Sequence, residues 1–367
     1  MNPMEDASTM ERTLMRQAVE KRIPISGSLE LLPLCNMNCD MCYVRLSKEE
    51  MESQGRLRTL EEWLDLGRQM QKAGVLFLLL TGGEPLLYPD FRKLYLELKK
   101  MGMIITINTN GTLIDEETAE FFGRHKPRRI NITLYGADNE TYENLCHHSG
   151  GYDKVTTAIR LLKKKGVDVK VSSSLTQHNQ DDMDDILDVG KDLDVPIRID
   201  TYMMPAERER CKPIKEQSRV SPEEAARIRI HVLKEEMGEE QFRKYVQKTI
   251  FEVEHILPEK KEPNRMSCYA GKASFTINWQ GQMRPCVILT EPAASVFEKG
   301  FEAAWRYIVE ETDQILLCSA CNACNLRPIC RNCAACALLE SGSYDGKPDY
   351  MCRYAKASYE CLKQEEK

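Results

Sequence analysis

Three cysteines stand in the spacing C-x3-C-x2-C, as Cys35-Asn36-Met37-Asn38-Cys39-Asp40-Met41-Cys42, directly after the apolar segment Leu29–Leu34. Thiolates this close in sequence can share one soft metal centre, and three of them leave a fourth coordination position open. That is the arrangement of a reactive site rather than a closed structural one. A zinc site would need a fourth ligand, and the nearest histidine along the chain is His125. Asn36, Asn38 and Asp40 make the loop polar, which argues against three free thiols buried for packing.

The other cysteines divide the chain. Cys146 and Cys211 stand alone, and the remaining ten of the 15 follow Met266. Lys and Arg number 51 against 57 Asp and Glu, a net charge of −6, so no basic face for nucleic acid or an anionic membrane is implied. Mean hydropathy is −0.47, and no apolar run reaches the ~18 residues of a membrane span. Met1–Arg22 is polar and has no signal-peptide pattern. The cysteines are therefore expected in a reducing cytoplasm, committed to metal or redox chemistry rather than disulfides.

Between the two cysteine groups, strand-like and helix-like segments alternate. Leu29–Leu34, Val75–Leu80, Met103–Asn108, Arg129–Leu134, Val167–Leu175 and Pro196–Tyr202 are apolar or β-branched. Helical stretches run over about Leu60–Ala73, Asp90–Lys100, Asp115–Arg124, Tyr152–Lys165 and Asp181–Asp192, and Gly74, Gly102 and Gly166 each follow one. The alternation predicts a parallel α/β unit with its site at the strand C-terminal ends. Pro205–Val220 is irregular, and Ser221-Pro222-Glu223-Glu224 opens a charged helical stretch. Pro258–Asn264 reads as a linker, and Ser274–Trp279 with Met283–Leu289 as a hairpin around Gly281.

Downstream of the loop, Gly82-Gly83-Glu84-Pro85 ends the most apolar strand. Glycines there permit close backbone approach, and a glutamate can accept hydrogen bonds from an ammonium group. The order of strand, three-cysteine loop, strand and GGEP resembles the radical SAM superfamily. The resemblance implies a partial (β/α)6 TIM-type barrel and a [4Fe–4S] cluster on Cys35, Cys39 and Cys42, whose fourth iron chelates S-adenosylmethionine (SAM). It further implies that Gly82, Gly83 and Glu84 line the methionine amino group, with Pro85 shaping the turn. Asn108 and Thr109 open the TNG turn after the third strand, and Thr133 and Ser173 take positions of polar SAM contacts. Where that family usually has an aromatic residue before the third cysteine, this chain has Met41, followed by Tyr43 after Cys42.

The C-terminal pattern is Cys268-x12-Gly281-x4-Cys286, then Cys321-x2-Cys324-x5-Cys330-x2-Cys333, then Cys352. It resembles the SPASM extension of radical SAM enzymes, a small cysteine-rich domain with a β-hairpin and helices that carries two auxiliary [4Fe–4S] clusters. By position, Cys268, Cys286 and Cys333 would hold the first auxiliary cluster, and Cys321, Cys324, Cys330 and Cys352 the second. An eighth ligand is open between Cys336 and Cys318, or one iron is left free. A ferredoxin-like unit and a structural zinc site fit the spacing less well. Cys146, Cys211 and Cys361 read as bystanders, and His147-His148 as a solvated loop.

The expected domains are 1–24 (N-terminal helical segment), 25–207 (radical SAM core), 208–265 (helical linker) and 266–367 (SPASM). The resemblance implies an enzyme that reductively cleaves SAM to a 5′-deoxyadenosyl radical and oxidatively modifies a peptide or protein made by ribosomes. A reductant such as a flavodoxin or ferredoxin is implied, and the short segment before the first strand leaves a place for a separate leader-peptide-binding protein. The alternatives are a radical SAM dehydrogenase of a small molecule and a non-enzymatic iron–sulfur electron carrier, which would leave GGEP unexplained.

Overall fold

The computed structural model describes residues 9–205, 208, 210, 218–255, 264–330 and 332–366. Cys211 and most of the expected linker Pro258–Asn264 lie outside them. Six parallel strands follow in chain order: β1 (Ser26–Glu30), β2 (Phe77–Thr81), β3 (Ile104–Thr109), β4 (Arg129–Thr133), β5 (Val169–Ser174) and β6 (Ile197–Asp200). Each pairs with its sequence neighbour, as right-handed crossovers arrange them.

Three further strands, β7 (Ser274–Ile277), β8 (Gln282–Arg284) and β9 (Ala294–Ser295), extend the same sheet in the order β6-β5-β4-β3-β2-β1-β7-β8-β9. Among the described residues no pairing joins β6 to β9, so the barrel is open. The β7–β8 hairpin is antiparallel as expected, but β7 itself lies parallel to β1, with Ser26 opposite Ser274. The sheet thus runs across the expected 265/266 boundary. Gly27 permits this: a Cβ there would lie 2.2 Å from the Phe275 ring.

The helices of the barrel are α1 (Thr9–Lys21), α2 (Lys48–Gln54), α3 (Leu60–Ala73), α4 (Phe91–Lys100), α5 (Glu116–Arg124), α6 (Asn139–Cys146), α7 (Gly151–Lys164) and α8 (Met183–Leu193). Then come α9 (Pro222–Met237), α10 (Glu239–His255), α11 (Val296–Lys299), α12 (Phe301–Gln314), α13 (Ser319–Asn322), α14 (Ala334–Ser341) and α15 (Asp349–Glu365). α3 shows why such segments form. Thr59 and Glu62 make a reciprocal capping box, Gly74 closes the helix in the left-handed conformation, and Trp63, Leu66, Gly67 and Met70 form one buried stripe.

Burial alternates along β2, β4 and β5. One face packs under the helices, and the half-exposed residues share the other, concave face. The main core lies between sheet and helices, and a separate small core of Met266, Ala270, Ile288, Leu289, Ile315, Leu317, Ala334 and Ala335 supports the C-terminal cysteines.

β1 begins earlier than the sequence suggests. Residues 31–34 continue beyond it as extended chain, because Pro33 has no N–H for a ladder. Their backbone is used instead by the turn after β2: Gly83 N donates to Leu32 O (2.8 Å) and Glu84 N to Leu34 O (2.9 Å).

Candidate cluster and cofactor site

The three-cysteine loop leaves β1 at the C-terminal mouth of the barrel. Met37 and Cys39 are buried in the main core, which fixes the loop before any ligand binds. Cys35, Cys39 and Cys42 lie close enough for each thiolate to raise the cost of ionising the next. Burial pushes the Cys35 thiol up to about 12 and raises Cys42 also, so ligation must displace protons. Backbone N–H groups point at the sulfurs: Met37 N is 3.4 Å from Cys35 Sγ and Arg45 N is 3.3 Å from Cys42 Sγ. Cys39 is lowered, first by a hydrogen bond from the Cys146 thiol.

The glycine pair has a steric reason. A Cβ on Gly82 would lie 2.5 Å from Leu32 O, and one on Gly83 would lie 2.3 Å from Leu34 O; Gly82 also has φ +144°. The turn therefore presses on the chain leading into the cysteine loop. Pro85 opens the next short helical turn, with Glu84 as its cap.

Glu84 is fully buried, where an exposed turn glutamate would be solvated. Thr109 Oγ1 donates to the carboxylate (2.9 Å), as do Asn110 N (2.8 Å) and Leu86 N (3.0 Å). Burial nevertheless pushes it up to about 7, those donors only partly offsetting the lost hydration. Asn110 Nδ2 donates to Asn36 Oδ1 (2.8 Å) and lies 3.6 Å from Cys35 Sγ. Asn36 Nδ2 in turn reaches Thr112 Oγ1 (2.8 Å). The TNG turn thus ties Glu84 to the cysteine loop.

Asn108 accepts from Asn131 Nδ2 (2.8 Å) on the concave face. Thr133 is half-buried on that face, in register with Ser172. Ser173 is placed differently. It follows Val169 and Val171 on the helix-packed face, fully buried, and its Oγ has no hydrogen-bond partner among the described residues. The β5 hydroxyls on the concave face are those of Ser172 and Ser174.

The C-terminal cysteines fall into two groups. Cys268, Cys286 and Cys333 influence one another electrostatically, as do Cys318, Cys321, Cys324, Cys330 and Cys352. Cys336 adjoins the first group. It hydrogen-bonds Cys333, which falls to about 6, and it accepts from Tyr202 OH (3.5 Å) at the end of β6. Cys318 adjoins the second group through Cys321.

Among the described residues, no three His, Cys, Asp or Glu side chains form a ready site for a single metal ion. A [4Fe–4S] cluster spreads its thiolates over separate irons. Grouped thiols spaced wider than the ligands of one ion, with N–H donors aimed at their sulfurs, suit that donor chemistry.

Sequence reasoning passed over several residues at this site. Asn110 stood inside a quoted motif, but only its bonds reveal its role. Tyr135, just past β4, lies near all three loop cysteines. His147 Nε2 lies 2.8 Å from Asp40 Oδ1, so the His147-His148 loop packs on the cysteine loop. A fully buried bidentate pair joins Arg208 to Glu30 at 2.8 and 2.6 Å. Arg208 also donates to Val287 O (2.9 Å), beside Cys286, and lies over the Tyr43 ring. Arg210 donates to Cys39 O (2.9 Å).

Residues 29–193 match the profile of the Radical SAM superfamily. Among curated proteins, the AdoMet-dependent heme synthase of Methanosarcina barkeri is 24% identical over 334 residues, 86% of this chain and 92% of that protein. The subtilosin biosynthesis protein AlbA of Bacillus subtilis is also 24% identical, over 77% of this chain, and the match spans 59% of AlbA's length. For the sporulation killing factor maturation protein SkfB of the same organism the figures are 26% identity, 47% of this chain and 40% of SkfB.

Among solved structures, Streptococcus suis SuiB bound to S-adenosylmethionine superposes with a TM-score of 0.68 at 18% identity, covering 94% of this chain and 81% of SuiB. The structure of anSMEcpe with bound AdoMet superposes at 0.70, also at 18% identity, covering 94% of each chain. These likenesses establish the fold, an open parallel α/β barrel with a C-terminal extension. Among the described residues, no helix is long and apolar enough to cross a membrane. The cofactors that go with such a domain are a [4Fe–4S] cluster and S-adenosylmethionine, with auxiliary clusters in SPASM relatives. With the strand order, the cysteine loop and the buried GGE–TNG network in agreement, residues 29–193 of this chain are a radical SAM domain.

Proposed function

We propose that this chain is a radical SAM/SPASM oxidoreductase acting on a ribosomally made peptide or protein. In this reading Cys35, Cys39 and Cys42 hold the SAM-binding cluster. Gly82, Gly83, Glu84, Pro85, Asn108, Thr109 and Thr133 surround SAM, and Ser173 backs the site from behind β5. Cys268, Cys286 and Cys333, with Cys336 beside them, hold one auxiliary cluster, and Cys321, Cys324, Cys330 and Cys352 the other. The domains are those expected above: 1–24, 25–207, 208–265 and 266–367. The setting is cytoplasmic, with a flavodoxin- or ferredoxin-type reductant and a separate leader-binding protein as partners.

The observation that carries the reading is Glu84. Its buried carboxylate and the three-cysteine loop are tied together through Asn110, so a ligand at the cluster and a ligand at the GGE turn are held as one. When bound, the cluster and SAM supply one-electron cleavage of the sulfonium S–C5′ bond and abstraction of a hydrogen atom from substrate. The protein's own part is positional. Glu84 holds negative charge where an ammonium group would sit, and Thr109 and Asn110 keep its oxygens oriented. Peptide specificity is supported by AlbA, by SkfB and by the SuiB structure with its precursor peptide SuiA.

A second reading, a small-molecule substrate, is favoured by the heme synthase match, which spans most of both chains. The test is anaerobic reconstitution with about twelve irons per chain for three clusters, followed by assay of 5′-deoxyadenosine. Turnover that rises only with an added precursor peptide, together with a mass change in that peptide, supports the first reading. Substrate conversion without any peptide supports the second. An iron-loaded chain that never cleaves SAM would leave only an electron carrier.

A further inference from the structure

The chain leaving β6 is fastened to both α14 and α15. Thr201 Oγ1 lies 2.9 Å from Tyr354 OH, and the Tyr202 ring stands edge-on to Tyr350 and Tyr354, with centroids 5.4 Å away in each case. Cys352 lies between those two tyrosines in the sequence of α15. Toward α14, Tyr202 OH donates to Cys336 Sγ (3.5 Å), and Cys336 Sγ donates to Met204 Sδ (3.3 Å). Arg219 closes the seam. Its guanidinium carbon lies 3.5 Å from the Tyr350 ring centroid, and its Nη2 is 3.2 Å from Glu340 Oε1 on α14, in a nearly buried pair. Cys336 itself is fully buried, whereas Cys286 and Cys333 are half-buried and Cys268 is exposed.

We propose that Cys336 is a positioning residue for the first auxiliary cluster and not one of its ligands: a thiol that seats the start of α14 on the chain leaving β6. The proposal rests on the reading that Cys268, Cys286 and Cys333 hold that cluster. A thioether carries no hydrogen, so the proton in the Cys336–Met204 contact belongs to the cysteine. Iron is ligated by a thiolate, which has no proton to give. One sulfur cannot fill both roles, and this one is already engaged from the barrel side by Tyr202 and Met204. Cys333 is the N-cap of α14, and Ala337 N donates to its carbonyl (3.0 Å), so Cys333 and Cys336 share the first turn of that helix. Holding Cys336 between Tyr202 and Met204 therefore holds Cys333 in one place relative to the barrel mouth.

The test uses the full chain, reconstituted anaerobically, as wild type, Cys336→Ala, Cys336→Ser and Met204→Leu. Iron per chain, the infrared S–H stretching bands and the electron paramagnetic resonance signals that do not respond to SAM are measured. All four chains are expected to hold equal iron. Both Cys336 variants should lose one S–H band present in wild type, and Met204→Leu, which removes the acceptor, should move that same band to higher frequency. One SAM-indifferent resonance should broaden in Cys336→Ala and stay near wild type in Cys336→Ser, which keeps a hydrogen-bonding group between Tyr202 and Met204. Loss of one cluster's iron in both Cys336 variants overturns the proposal, because it would make Cys336 a ligand. So does a difference spectrum with no S–H band lost, or a resonance unchanged in Cys336→Ala, which would leave the thiol idle. Should Cys336→Ala fail to fold, an S–H band unmoved in Met204→Leu overturns the proposal, and a shifted one supports it. A wild-type chain that takes up iron for one cluster only would instead defeat the underlying reading of the C-terminal cysteines.

Discussion

The three-cysteine loop is wedged into the main core, with Met37 and Cys39 among its buried residues. The C-terminal cysteines surround a small core of their own, on short helices such as α13 and α14, and Cys268 is exposed. In the first region the protein fixes the thiols before any metal arrives: a helix end, a buried Asn–Glu network and two arginines hold the loop. In the second, little apolar surface is available, and small cores of that kind draw stability from metal. One region is held by the main core, and the other, the cysteines of 318–336, stands on a small core of its own.

The largest expected effect breaks this contrast open directly. Stripping iron under anaerobic conditions should expose the amides of residues 318–342 to hydrogen exchange, with opening energies falling toward the near-zero end typical of frayed segments. The amides of β1–β4 and of the 35–42 loop should stay protected. Equal loss of protection in both regions would erase the distinction.

Next comes the joint between the regions. Arg208→Ala leaves the Glu30 carboxylate buried and unpaired, which costs about 3–5 kcal/mol. Urea unfolding should show that loss, and a Glu30→Leu/Arg208→Leu double variant should recover much of it. A cost below about 1 kcal/mol, the range of exposed pairs, would mean that Arg208 does not join the two regions.

A smaller effect concerns the first region. Glu84 stands at about 7 when folded against an ordinary 4.5, equivalent to about 3 kcal/mol. Because the folded state holds the proton more tightly, this contribution is fully present below about 4.5 and is lost as pH rises to about 7. The cofactor-free chain should therefore lose stability as pH rises from 4.5 to about 7, and Glu84→Gln should flatten that slope. An unchanged slope would place the buried charge elsewhere.

Much of the barrel was legible in the sequence. Leu60–Ala73 is a helix over those same residues, because its cap, stripe and terminal glycine are all local signals. Strand limits were less so. Val167–Leu175 reads as one run, and the face of each residue depends on where pairing begins, since a shift of one residue exchanges faces. Ser173 accordingly lies on the packed face, with Ser172 and Ser174 on the concave one. The pairing of β7 with β1 joins residues 248 positions apart, as Ser26 with Ser274, and leaves no local trace. The cysteine loop and GGEP were plain from spacing alone. The places of Asn110, Tyr135 and Cys146 beside it were not, because they depend on which turns meet at the barrel mouth. Cys146 looked idle as a lone cysteine in sequence, and only the docking of α6 on the loop, where Asn38 N donates to Cys146 O (3.0 Å), brings it beside Cys39.

The central claim is that the N-terminal loop alone carries the SAM-cleaving cluster, while the C-terminal cysteines serve the substrate. The most direct measurement is 5′-deoxyadenosine formation from SAM, with a chemical reductant and no substrate, by two reconstituted variants. One replaces Cys35, Cys39 and Cys42 with alanine, and the other replaces Cys321, Cys324, Cys330 and Cys352. The account predicts no product from the first and residual cleavage from the second. Cleavage by the first variant at the wild-type rate would contradict it.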